Sequence, residues 1–122
     1  MKKIGVFTQN IIDLLRLDIE AGTAIYVGDQ NIDHMKSRHP VEYEIYFPRI
    51  SEIIDSPDYV CVNQKNQSID YVKLFELNGE YIQVSVRVSA GGVYYAKTLF
   101  LLMTYKAERY IEQGTLIPVS KN

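Results

Sequence analysis

Both histidines of this chain, His34 and His39, fall within the ten residues NIDHMKSRHP (31–40), with Lys36 and Arg38 between them. Imidazole exchanges protons near neutral pH, and neighbouring cations can hold a phosphate. In an ideal helix two residues five apart are rotated by roughly 140°, so the two rings would not share a face. A two-histidine metal site on a helix wants the four-residue spacing of HExxH, and no cysteine cluster offers another. His39 follows the apolar stripe of Ile32 and Met35, whereas His34 lies beside Arg38 on the polar side. At the C-terminal end of a helix the macrodipole stabilises imidazolium, which suits His39 to proton donation or phosphate binding. Either ring can equally be a half-buried, purely structural hydrogen-bonding group.

A second chemically competent set comes from the run YIQVSVRVSA (81–90). Its alternation sends Ile82, Val84, Val86 and Val88 to one face and Gln83, Ser85, Arg87 and Ser89 to the other. A turn follows at Gly91-Gly92. A two- or four-residue turn would bring Tyr94 and Thr98 to the side of Arg87, and a three-residue turn would bring Tyr95 and Lys97. In each case a cation and a hydroxyl converge. The competing reading is idle: the NGE turn would set Asp70 across from Arg87 as a surface ion pair. SAGG lacks the strand-loop-helix context of a phosphate loop and is a hairpin tip. Cys61, the only cysteine, sits in the apolar run YVCV, where a small buried hydrophobe is expected rather than a nucleophile.

The elements that must position these groups are of two kinds. In the first half, KIGVF reads as a short strand and IIDLLRL as a helix carrying Ile11, Leu14, Leu15 and Asp18. AGTAIYVGD is extended. Asp29 or Asn31 caps a short helix that ends at Pro40. A second amphipathic helix over 41–55 is interrupted or restarted at Pro48. At Tyr59 the hydrophobic period changes. DYVCV, SIDYVKLFEL, YIQVSVRVSA and VYYAKTLFLL, separated by NQKNQ, NGE and GG, form a four-stranded antiparallel β-meander. A last helix runs from an N-cap at Thr104 to Gly114, and the tail with Pro118 is extended. The fold class is therefore α+β, with N-terminal helices packed on the four-stranded meander and a C-terminal helix, the helices sharing one face of the sheet.

Composition bounds the function. A chain of 122 residues suits one domain spanning 1–122, and 47% hydrophobic with 23% charged residues is the make-up of a folded globule rather than a disordered chain. The 13 basic residues against 15 acidic ones give a net charge of −2, so any phosphate-binding surface has to be a local patch. No apolar run reaches the roughly 18 residues that a membrane span needs. MKKIGVF continues into TQN rather than an apolar segment, so no signal peptide is expected and synthesis is cytoplasmic.

Helices first, one of them ending in KSRHP, then a meander whose polar face bears Arg87 and the pair Lys97-Thr98: this order resembles the barnase, EndoU, colicin E5/D and RelE-like nuclease superfamily. The segments NIDHMKSRHP, IDYVKLFELNGEYIQVSVRVS and YYAKTLF resemble its phage-associated branch, found in mobile elements. The resemblance spans about Lys3 to Pro118. It implies a metal-independent, toxin-like ribonuclease that needs no cofactor, in which the 2′-hydroxyl attacks the adjacent phosphate to leave a 2′,3′-cyclic phosphate. His39 would shuttle protons with His34 as helper or alternate, Arg87 and Lys97 would bind the phosphate, and Thr98 would donate a hydrogen bond. Arg38, Ser85 and Tyr95 would be further substrate contacts. The implied partners are RNA, tRNA among the candidates, and an immunity or antitoxin protein, with possible delivery into another cell. The alternative is a catalytically silent binding module that keeps the fold and uses the sheet face for a protein partner.

Overall fold

The computed structural model describes residues 1–120. Its centre is a seven-stranded mixed sheet in the order β1-β2-β6-β5-β4-β3-β7. The strands are β1 (Lys2–Val6), β2 (Ala24–Val27), β3 (Tyr59–Val62), β4 (Ile69–Phe75), β5 (Glu80–Val88), β6 (Tyr94–Leu102) and β7 (Ile117–Pro118). The expected meander is present as β3-β4-β5-β6, antiparallel throughout. The sheet is nevertheless wider than four strands. β7 adds antiparallel to β3, β1 pairs antiparallel with β2, and β2 joins β6 in the single parallel ladder, through Ile25 opposite Tyr94 and Tyr26 opposite Tyr95. Antiparallel neighbours joined by a tight turn carry a local signature; a parallel pair separated by tens of residues carries none.

The helices are α1 (Gln9–Leu15), α2 (Asp29–Arg38), α3 (Pro40–Tyr46), α4 (Ile50–Asp55) and α5 (Thr104–Glu112). A 3-10 turn at Phe47–Arg49, containing Pro48, separates α3 from α4, which is the interruption that this proline imposes. Asp18 lies beyond α1, and Met103 rather than Thr104 occupies the N-cap of α5.

One face of the sheet builds the main core. Ile25, Val27, Tyr71, Ile82, Val84, Val86, Ala96 and Leu99 pack there with Ile11 and Ile12 of α1, Tyr46 of α3 and Ile50, Ile53 and Ile54 of α4. Close approach of α4 to β1 depends on Gly5, where a Cβ would stand 2.7 Å from Ile54 Cγ2. The expectation that all helices share one face fails for α5. Val72, Leu102 and Leu116, flanked by Tyr59, Tyr81 and Phe100, form a second apolar cluster that Ala107, Tyr110 and Ile111 cover. The outer face is polar only towards the β5–β6 hairpin; at the other end of the same strands Tyr81 and Leu102 make it apolar, and an amphipathic helix buries it. Val88, expected on the core face, is at the hairpin end and exposed. No helix among the described residues is long and apolar enough to cross a membrane.

Candidate functional site

The polar half of the outer face is the floor of an open concavity of about 620 Å³. Gln83, Ser85 and Arg87 of β5 and Lys97, Thr98 and Phe100 of β6 form that floor; Gln30, Asn31 and His34 of α2 form one wall, and Asn63, Asn66 and Ser68 of the β3–β4 loop form the other.

Two backbone features set the floor. The β5–β6 loop has three residues between Ser89 and Val93, closed by Gly92 N–H to Ser89 O (2.9 Å) and Ser89 N–H to Val93 O (2.7 Å). Gly92 has φ +82°, the left-handed conformation that such a loop requires. Tyr95 therefore stands opposite Arg87, as a three-residue turn dictates. A bulge follows: Val86 pairs with Ala96 but Ser85 with Thr98, leaving Lys97 as the extra residue. The two registers left open by the sequence are thus both realised, one on each side of the bulge, and Lys97 and Thr98 line the same cavity.

The wall contributed by α2 follows from where β2 stops. β2 pairs with β6 only at Tyr94 and Tyr95, and α2 packs along the remainder of β6. Met35 is fully buried in the main core with Ile32 against it, and the adjoining side of the helix, Gln30, Asn31 and His34 at i, i+1 and i+4, faces the concavity. The N-cap is Gly28, not Asp29 or Asn31; Asn31 sits three residues on, and its Oδ1 accepts from Gly28 N–H at 2.9 Å.

The expected arrangement around His39 is corrected by this phase. His34, not His39, lines the concavity. His39 terminates α2 as its C-cap residue, its ring 5.8 Å from that of Phe100 and its Nδ1 3.7 Å from Glu42 Oε2. It thus borders the site across Phe100 rather than entering it. Arg38 is exposed at the end of α2 and does not line the cavity. Tyr95 shares the face of Arg87 but does not line the cavity: its hydroxyl is 3.2 Å from Met1 Sδ, and Lys97 Nζ lies 5.6 Å from its ring centre. It supports Lys97 instead of contacting the cavity.

The surface ion pair anticipated between Asp70 and Arg87 does not form. Asp70 stands across from Ser85, is 3% exposed, and accepts from Ser68 Oγ at 2.8 Å. Among the described residues no carboxylate lies within ion-pair distance of Arg87 or Lys97; the ion pairs are His39–Glu42 and Arg49–Glu52. Cys61 lies next to Asp70, with Sγ 3.8 Å from Oδ2. Burial, then the charge of Asp70 and the hydrogen bond to it, push the Cys61 thiol up to about 12, the opposite of an activated nucleophile. No group of three or more His, Cys, Asp or Glu side chains converges among the described residues.

The concavity contains two permanent cations, one imidazole, several hydroxyl and carboxamide groups, and no Asp or Glu. In a chain of net charge −2, that is the local patch required for an anionic ligand. Sequence reasoning did not single out Asn63, Asn66 and Ser68, because NQKNQ carries only a turn signal, nor Gln30, Asn31 and Phe100. The i, i+1, i+4 stripe ending at His34 was the available clue to the first two.

Residues 2–109 match the family model described as phage-Barnase-EndoU-ColicinE5/D-RelE like nuclease3. No curated protein and no solved structure matches the chain.

Proposed function

Because the chain belongs to the phage-Barnase-EndoU-ColicinE5/D-RelE like nuclease3 family, we propose that the concavity is the active site of a metal-independent endoribonuclease. The observation that carries this reading is the convergence of His34, Arg87, Lys97 and Thr98 on one acid-free cavity. Cleavage by transesterification needs a group to take the 2′-hydroxyl proton, a proton for the departing 5′-oxygen, and positive charge for the phosphorane-like transition state. In this reading His34 takes the first proton and returns it to the leaving oxygen. Arg87 and Lys97 hold the non-bridging phosphate oxygens, and the Thr98 hydroxyl donates to them. The O2′–P bond forms as the P–O5′ bond breaks, giving a 2′,3′-cyclic phosphate and a 5′-hydroxyl. His39 is the auxiliary group, one aromatic ring away. Toxin-like action on a cellular RNA, tRNA among the candidates, with an immunity or antitoxin protein as partner, is the biological form of the proposal.

The experiment is cleavage of tRNA, ribosomal RNA and single-stranded oligoribonucleotides in the presence of EDTA, with identification of the product ends. Expected are cyclic-phosphate ends, unaffected by EDTA, and losses of about 10²-fold or more for His34→Ala and Arg87→Ala in folded protein. Intact RNA in the presence of correctly folded wild-type protein would replace the nuclease by a silent module that binds through the same cavity.

A further inference from the structure

The loop that walls the cavity opposite α2 is held in one shape by its own hydrogen bonds. Asn63 N–H donates to Ser68 O and Gln67 N–H to Asn63 O, both at 2.8 Å, and Gln67 Nε2 donates to Gln64 O at 3.2 Å. Gln67 has φ +61°, a strained value for a non-glycine residue that only such over-determination maintains.

The same bonding fixes the orientation of the two carboxamides that line the cavity. Asn63 Oδ1 accepts from Lys65 N–H (2.9 Å), and Asn66 Oδ1 accepts from Ser68 N–H (3.0 Å). Each oxygen already accepts one backbone hydrogen bond, so the groups of each side chain still without a partner among the described residues are its two Nδ2 hydrogens. Asn31, on the opposite wall, is in the same state, its Oδ1 occupied by Gly28 N–H. Ser68 stands next to Ile69, which pairs with Val86, so the loop begins about one strand spacing, roughly 5 Å, from Arg87. A nucleotide whose phosphate rests on Arg87 and Lys97 therefore has its base within reach of this wall.

We propose that Asn63 and Asn66 form a base-reading subsite that selects nucleobases presenting acceptors, the oxo bases uracil and guanine, over the amino bases adenine and cytosine. Guanine offers O6 and uracil O4, whereas adenine and cytosine place an exocyclic amine where those oxygens stand and turn it towards the same donors. A donor facing a donor leaves both desolvated and unpaired, and rejection by unpaired polar groups is stronger than rejection by shape alone. The loop's rigidity means that little ordering is lost on binding. This inference rests on the nucleic-acid reading of the cavity, but not on catalysis.

The test uses trinucleotides that are 2′-O-methylated throughout and cannot be cleaved, with the central base A, C, G or U. Their affinities for the folded protein are measured by fluorescence anisotropy. The wild type should prefer G and U over A and C by about tenfold, the low end for base-edge discrimination. Asn63→Asp and Asn66→Asp keep the oxygen that accepts the loop N–H but exchange the donor for an acceptor, so the preference should fall to unity or invert. The wild-type series decides the matter even if a variant misfolds. Equal affinity for the four bases, or an equal loss for all four in both variants, would overturn the subsite while leaving the nuclease intact. No measurable binding of any trinucleotide would also overturn it. Base preference without cleavage of ordinary RNA would support the subsite and remove the nuclease.

Discussion

A strand bound at a local pair of cations must lose affinity with salt in proportion to those two charges and no more. Arg87 and Lys97 are the permanent cations of the concavity, and neither has a carboxylate at ion-pair distance among the described residues. Two protein cations taking the place of two counterions on a single strand give a slope of log affinity against log salt of about −1.4, so affinity falls roughly sevenfold between about 50 and 200 mM. Arg87→Ala or Lys97→Ala should each reduce that slope to about −0.7, a loss of only about two- to threefold over the same interval. A labelled 2′-O-methyl tetranucleotide followed by fluorescence anisotropy is short enough to exclude contacts elsewhere and has no free 2′-hydroxyl to react. A wild-type slope of about −3 or steeper would mean a broad basic surface and refute the local-site argument. So would a slope left unchanged by both substitutions.

Three further outcomes follow from the same geometry. His34→Ala should lower RNA cleavage by about 10²-fold and His39→Ala by about tenfold or less, since general acid–base groups act within hydrogen-bond reach and His39 lies beyond Phe100; equal losses in a cleavage assay would contradict the assignment. With the Cys61 thiol raised from 9.0 to about 12, iodoacetamide at pH 8 should label the folded chain roughly 10³-fold more slowly than the chain in urea, and comparable rates, read by mass spectrometry, would contradict it. The Tyr71 hydroxyl is buried without a hydrogen-bond partner among the described residues, so Tyr71→Phe should be neutral or stabilise by about 1 kcal/mol in urea unfolding; a loss of that size would show a partner in solution.

What could be read from the sequence is what local signals encode. The strands of the meander, the turns between them and the break at Pro48 each depend on a few adjacent residues, and all are present. The parallel pairing of β2 with β6 was hidden because nothing near Ala24–Val27 records a partner at Tyr94. The bulge at Lys97 was hidden too: alternation offered Lys97 or Thr98, and only an inserted residue delivers both. The weight given to His39 came from the helix dipole, a property of α2 alone, whereas the side chain that enters the cavity is set by where Met35 anchors the helix. Asn63 and Asn66 were read as turn formers, which they are; forming the turn engages their oxygens and leaves their nitrogens without a partner among the described residues.

The charge balance has the same local logic. Acidic residues outnumber basic ones in the chain, yet among the described residues the only fully buried carboxylate is Asp70, across from Ser85 on the neighbouring strand. Two cations on adjacent strands repel each other, and a nearby negative charge lowers that cost before a ligand arrives. A carboxylate on the cavity lining would lower that cost but repel the phosphate as well. At 3% exposure, with Ser68 Oγ donating to it, Asp70 has its oxygens withheld from the cavity. The arrangement leaves the cavity lining itself free of acid, so a nearly neutral protein can hold an anion at one place.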